Sequence, residues 1–194
     1  SNETNTVNFS GTKGGYNLAD GVNVNLIQAA GANGVASTAG TSSIYLVGND
    51  YAQRIVGNAG DNVLDGAGAT RDATGAAATL GDTLDGGAGN DTFNGGSGSD
   101  TLYGYAGNDV FNVTDKSGSF TDTIYGGAGT DSLVVNYTGI SSLDNFTVNY
   151  SSSTSTFTFT DPSGGVINAK EIETFSFGGK SYVHYTGDGG TDIN

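Results

Sequence analysis

Residues 86–112 read GGAGNDTFN, GGSGSDTLY and GYAGNDVFN, three consecutive nonapeptides in one frame. A fourth close copy, GGAGTDSLV, occupies 126–134. All share G-G-x-G-x-D-x-U-x, where U is a large apolar residue, with Tyr105 standing in for the second glycine of its copy. Self-similarity at a short fixed period marks a stacked repeat rather than an ordinary globular core. Each copy divides in two. Its first six residues are rich in glycine and have to turn; its last three, x-U-x, read as a short strand. Side chains alternate along a strand, so the middle residue U faces inward and its two neighbours face outward.

The frame extends in both directions. Residues 57–65, GNAGDNVLD, keep it with Asn62 in the aspartate slot, and 48–56, GNDYAQRIV, keep it loosely with Gln53 there. Residues 66–85 and 113–125 are repeats whose loops are enlarged, ending in GDTLD and TDTIY. The sixth positions are then Gln53, Asn62, Asp82, Asp91, Asp100, Asp109, Asp122 and Asp131. The eighth are Ile55, Leu64, Leu84, Phe93, Leu102, Phe111, Ile124 and Leu133, every one Leu, Ile or Phe.

Two nonapeptides make one full turn of a coil, with successive turns stacked as parallel strands about 4.8 Å apart. Repeats i and i+2 then share a side. One stripe is Leu64, Phe93, Phe111 and Leu133; the other is Ile55, Leu84, Leu102 and Ile124. The turns stack too, which sets aspartates two repeats apart side by side. Bare carboxylates at that spacing repel. A calcium ion between them reverses the sign, since it takes six to eight oxygens from carboxylates and backbone carbonyls. The expected pairs are Asp82/Asp100, Asp91/Asp109, Asp100/Asp122 and Asp109/Asp131. Asn62/Asp91 is the weaker pair, because Asn62 brings an oxygen without a charge. Gly86, Gly87, Gly89, Gly95, Gly96, Gly98, Gly104 and Gly107 are the expected sources of loop carbonyls.

Over residues 57–134 the pattern resembles the repeats-in-toxin (RTX, haemolysin-type) family. The resemblance implies an all-β fold, a right-handed parallel β-roll (a β-solenoid) holding several Ca2+ ions between adjacent turns. It also implies export from a Gram-negative bacterium by type I secretion, with folding outside the cell once calcium is met. The enlarged loops at 69–80 and 113–119 depart from the family pattern beside Asp82 and Asp122.

The composition agrees. The 194 residues hold 34 glycines, one proline, and 20 Asp/Glu against six Lys/Arg, for a net charge of −14. Seventeen of the acids are aspartate, which favours turns over helices. A chain so poor in cations is unsuited to nucleic acid or to an anionic membrane surface. No apolar run is long enough to span a bilayer. Cysteine is absent, so neither disulfides nor thiolate sites contribute. His184 is the only histidine; zinc-hydrolase and nucleophile-elbow motifs are missing, and no enzyme activity is expected of these residues. Ser1–Asn2 reads as a scar, and the chain as an excised piece of a larger parent.

The organisation expected is a β-rich N-terminal cap over 1–47, the roll over 48–134, a β-rich C-terminal cap over 135–185 and a flexible tail over 186–194. The N-terminal cap carries Val7, Phe9, Val22, Val24, Leu26, Ile44 and Leu46; the C-terminal one alternates through Phe146, Val148, Tyr150, Phe157 and Phe159. Glu171 and Glu173 read as a solvated edge. Tyr103 and Tyr125, outward at the ninth position, offer either a sugar-binding platform or a surface that packs under a flank. Outward Thr83, Thr101 and Thr123 form a ladder that ice or polysaccharide contact, or plain β-propensity, would explain. The leading function is a calcium-dependent structural module of an adhesin or surface-layer protein. The rival is a non-catalytic accessory of a secreted protease, lipase or alginate epimerase; a carbohydrate- or ice-binding module is the third.

Overall fold

The computed structural model describes residues 41, 43–48, 52, 54–67, 81–114 and 119–185, plus the backbone of five strands elsewhere. Gln53, the loop at 69–80 and most of the tail at 186–194 lie outside the described residues. The strands are β1 (Val7–Asn8), β2 (Gly15–Leu18), β3 (Val24–Asn25), β4 (Asn33–Ala36), β5 (Tyr45–Val47), β6 (Arg54–Val56) and β7 (Val63–Asp65). Then come β8 (Thr83–Ala88), β9 (Thr92–Asn94), β10 (Thr101–Ala106), β11 (Val110–Thr114), β12 (Thr121–Ala128) and β13 (Ser132–Asn136). The remainder are β14 (Thr147–Ser151), β15 (Thr156–Thr160), β16 (Val166–Lys170), β17 (Thr174–Phe177), β18 (Lys180–Tyr185) and β19 (Asp192–Ile193).

Up to β13 the odd-numbered strands form one sheet and the even-numbered strands the other, so the chain crosses between sheets at every loop. All neighbours in this part are parallel and in register. That is an all-β parallel roll with two nonapeptides per turn. Its register is the one that the eighth-position residues dictate. Leu64 lies against Phe93, Phe93 against Phe111 and Phe111 against Leu133. In the facing sheet Ile55, Leu84, Leu102 and Ile124 stack likewise. All eight are at most 1 % exposed, so the two stripes meet as a dry core. The Phe93 and Phe111 rings stack at 4.7 Å. A one-residue slip would turn these side chains out to water, which is why the register is so tightly held.

The ladders run beyond the nonapeptides. β1 pairs with β3 and β3 with β5; β2 pairs with β4 and β4 with β6, all parallel. At the other end β16 joins β12 and β17 joins β13, still parallel, making one further turn. Outside this last parallel turn the strand direction reverses. β14–β15–β16 and β17–β18 are antiparallel. A repeat stack leaves its last apolar layer open unless something covers it. Here buried Phe146, Phe157, Phe159, Phe175 and Phe177 form a cluster of tilted and edge-to-face rings over that layer.

Candidate metal centre

The loops between sheets bring the sixth-position residues into two rows. Asn62, Asp91, Asp109 and Asp131 immediately precede β7, β9, β11 and β13 on one edge; Asp82 and Asp100 precede β8 and β10, and Asp122 lies at the start of β12, on the other. All seven are at most 1 % exposed. Within each row one carboxylate oxygen binds the turn before it. The Asp91 N–H donates to Asp109 Oδ1 at 2.7 Å and the Asp109 N–H to Asp131 Oδ1 at 2.8 Å. The Asn62 N–H donates to Asp91 Oδ1 at 2.7 Å. Opposite, the Asp82 N–H donates to Asp100 Oδ1 at 2.8 Å and the Asp100 N–H to Asp122 Oδ1 at 2.9 Å. Every expected pair is thus brought together, and the enlarged loops before Asp82 and Asp122 leave the spacing intact.

The second oxygen of each carboxylate has a different fate. Oδ2 of Asp91, Asp109 and Asp131 is buried with no hydrogen-bond donor, as is Asn62 Oδ1. A buried carboxylate oxygen left so is costly, and a cation is the partner that would remove the cost. Burial pushes the Asp91 carboxyl up to about 7 and the Asp109 carboxyl to about 6, and the next acid along the row, Asp109 or Asp131, adds to the rise. Asp131 is raised by burial and then by Glu173 and Glu171.

Backbone oxygens complete the surroundings. A Cβ on Gly104 would run into both Asp109 Oδ2 and the Gly126 carbonyl oxygen, and one on Gly66 into Asp82 Oδ2 and the Gly95 carbonyl oxygen. Gly86 and Gly95 are closed in the same way by Asp91 and Asp100. The first glycine therefore makes room for its own carboxylate and the next turn's carbonyl. Gly87, Gly89, Gly96, Gly98 and Gly107 take positive φ, from 84° to 140°, and turn the loop. At Gly107 (φ +140) a Cβ would also strike the Gly89 carbonyl oxygen. Among the described residues no three acidic or imidazole side chains converge on one point. The available set is carboxylates plus carbonyls, all oxygen, which suits a hard cation such as Ca2+ and offers nothing to a thiophilic metal. Asn62 differs: its amide nitrogen donates to the Gly60 carbonyl at 2.6 Å and reaches the Gly86 carbonyl at 3.5 Å. It fills with a donor the direction where its neighbours present bare oxygens.

Two groups went unnoticed in the pattern. Fifth-position side chains bind the turn after them: Asp61 Oδ1 accepts from the Asn90 N–H, Asn90 Oδ1 from the Asn108 N–H and Asn108 Oδ1 from the Thr130 N–H, at 2.7–2.8 Å. The signal was there, since this position is Asp, Asn, Ser, Asn or Thr in the repeats beginning at 57, 86, 95, 104 and 126. The second is Glu173. Expected on a solvated edge, it is instead half-buried, and its Oε2 accepts the Asp131 N–H at 2.7 Å. It lies outside the nine-residue frame, so spacing could not reveal it.

Among the outward tyrosines, Tyr103 and Tyr125 stack at 4.9 Å with 6° between planes, and Tyr105 stacks with Tyr103 at 5.9 Å. Lys170 Nζ lies 6.0 Å from the Tyr125 ring centroid. Tyr103 and Tyr125 thus cover one face of each other, while Tyr105 stays 53 % exposed. His184 packs edge-on against Phe157 at 4.8 Å. Asp161 Oδ1 accepts the N–H groups of Ser163 and Gly165, holding an ordinary turn.

Fold and site together define a parallel β-roll whose stacked turns are laced by buried carboxylates fit for calcium. Residues 47–69, 79–111 and 117–135 match the RTX calcium-binding nonapeptide repeat, in four copies. The roll therefore carries RTX repeats over these residues, less than half of the chain; such repeats form a non-catalytic structural family and are typical of proteins secreted by Gram-negative bacteria. A search of curated proteins finds no match to the chain. Among the described residues no helix is long and apolar enough to cross a membrane.

Proposed function

We propose that the chain is a calcium-dependent folding module of a type I-secreted extracellular or cell-surface protein of adhesin or surface-layer type. Residues 48–134 form its working part, 1–47 and 135–185 close its two ends, and any chemistry or adhesion resides elsewhere in a larger parent chain. The carrying observation is the row of buried carboxylates, each with one oxygen bonded to the neighbouring turn and, at Asp91, Asp109 and Asp131, the other left without a donor. Asp82, Asp91, Asp100, Asp109, Asp122 and Asp131 hold the ions together with loop carbonyls, and Asn62 contributes least.

The consequence is conditional stability. Without the ion, buried like charges oppose the compact state; with it, each site adds RT ln(1 + [Ca]/Kd) to the folded side, about 1.4 kcal/mol at tenfold excess. Several such sites reach the stability of a whole domain, roughly 5–15 kcal/mol. A chain of this kind stays open in the low calcium of a cytosol and closes outside. Circular dichroism in chelator and in millimolar calcium tests this directly. The strand signal should appear only with calcium, and equal strand content in both conditions would overturn the reading.

A further inference from the structure

The geometry points to an additional calcium site beyond the last nonapeptide, at the seam between the loop before β13 and the turn before β17, built from Asp131, Glu173 and the Glu171 carbonyl. This inference rests on the calcium reading of the repeats and extends it to residues that no repeat contains.

Three correspondences carry it. Between consecutive repeats, the sixth residue's N–H donates to the next acid's carboxylate; here the Asp131 N–H donates to Glu173 Oε2 at 2.7 Å. Between repeats, the carbonyl of the sixth residue accepts the N–H of the first strand residue one turn on, as Asp109 does from Ser132 at 2.8 Å; here the Asp131 carbonyl accepts from Thr174 at 3.0 Å. Between repeats, the space beside the first glycine is shared by its own aspartate and the next turn's carbonyl. Gly104 faces Asp109 Oδ2 and the Gly126 oxygen, and Gly126 faces Asp131 Oδ2 and the Glu171 oxygen. The segment 171–174 therefore repeats the lip of a nonapeptide loop without its sequence. Glu171 takes φ +56 to make a left-handed turn of the kind glycine makes in the repeats.

The ligand-seeking group is Asp131. It is 0 % exposed, and its Oδ2 has no hydrogen-bond partner. Among the described residues, the basic group beside the turn, Lys170, is paired on the surface with the Glu171 carboxylate at 3.4 Å. A hard divalent cation bridging Asp131 Oδ2, the Glu173 carboxylate and the Glu171 carbonyl, with water filling its remaining positions, satisfies all three. Glutamate suits this place because the turn is shorter than a nonapeptide loop and the longer side chain spans the gap. The opposite edge ends otherwise: the register partner of Asp122 in the next turn is Ile167, so no acid continues that row.

Calorimetric titration of the full chain with calcium tests the proposal, comparing wild type with Glu173→Gln, which keeps an acceptor for the Asp131 N–H and removes the charge. Asp144→Asn is the control, because it removes an exposed carboxylate that belongs to neither the repeat rows nor the seam. Glu173→Gln should bind one ion fewer, or bind one of its ions at least tenfold more weakly, while Asp144→Asn titrates like wild type. Equal stoichiometry and affinities in wild type and Glu173→Gln overturn the seam site and leave the repeat sites standing. Binding by neither protein overturns the repeat reading with it. If Glu173→Gln does not fold, anomalous scattering from wild-type crystals grown in calcium decides: a peak between Asp131 and Glu173 supports the site, and filled repeat loops with none there overturn it.

Discussion

Asp109→Asn is the sharpest test of how the roll is held together, because Asp109 serves two neighbouring turns at once. Its Oδ1 accepts the Asp91 N–H and its Oδ2 is buried without a donor. Asparagine keeps the first contact. It replaces the second oxygen with an amide that can donate to loop carbonyls, as Asn62 already does toward Gly60 and Gly86. Packing and backbone bonding are therefore nearly preserved, and the change falls on the cation. Asp91/Asp109 and Asp109/Asp131 both lose a charged ligand. At tenfold calcium excess each site contributes about 1.4 kcal/mol, so losing both removes roughly 3 kcal/mol. For a chain of this size that lowers the melting midpoint by about 6–12 °C.

The decisive readout is not that drop but its calcium dependence. The slope of the melting midpoint against the logarithm of calcium concentration reports how many ions the folded state holds beyond the unfolded one. Asp109→Asn should give a shallower line than wild type, with the two converging as calcium is diluted, because the buried charge it removes is a burden on the ion-poor fold. Melts followed by circular dichroism at four or five calcium concentrations suffice. Two parallel lines, with the variant lower by a constant amount, would mean that Asp109 matters only for packing and hydrogen bonding, and the argument for ions between the turns would fail.

Calcium affinity should weaken on acidification. The Asp91 and Asp109 carboxyls are raised to about 7 and about 6 in the folded chain, so the stability they lend the ion-free roll is full below their ordinary values near 4 and is lost as pH rises through 6–7. Calcium must displace those protons, so its apparent affinity should fall on the order of tenfold per proton per pH unit below pH 6; titrations at pH 7.5 and 5.5 with identical midpoints would refute this. Gly104→Ala puts a methyl group against Asp109 Oδ2 and the Gly126 carbonyl, and should raise the calcium needed for half-folding well beyond what a neutral surface change does; an unchanged midpoint would show that the loop has room to spare. Phe111→Ala removes a ring stacked between Phe93 and Leu133 at 0 % exposure and should cost about 3–5 kcal/mol at saturating calcium, read from denaturant melts.

The roll itself was legible because its two constraints repeat. Leu, Ile or Phe at every eighth position fixes which residue faces inward, and a nine-residue period places Asp91, Asp109 and Asp131 on one edge. The enlarged loops did not obscure this, since length added within a loop leaves the strands that follow in register. What could not be read is whatever satisfies the same geometry by different chemistry. Glu173 does the work of a sixth-position aspartate from a shorter turn with a longer side chain, and Glu171 turns at φ +56 where the repeats use glycine. The outward tyrosines were placed by spacing, but spacing is silent on ring orientation. That Tyr103 and Tyr125 stack face to face follows from the separation of neighbouring strands, which matches that of stacked rings.

The two oxygens of each buried aspartate explain why folding and ion binding should not separate. Oδ1 is spent on the backbone of the preceding turn, so the carboxylate reaches its ion-facing position only when that turn is already stacked. Oδ2 is left without a donor at Asp91, Asp109 and Asp131, so that stacked arrangement is uphill until a cation arrives. Neither half is favourable alone. A turn without the ion buries a charge, and an ion without the turn finds a single carboxylate on a flexible chain. Because each aspartate is shared by the turn it belongs to and the one before it, closing one turn positions the ligand for the next, and the benefit accumulates along the row. A row of isolated sites on a preformed scaffold would fill one by one with calcium while the strand signal stayed constant. This row should instead show strand content and bound calcium rising together over one narrow range, and a strand signal complete before the first ion binds would contradict the coupling.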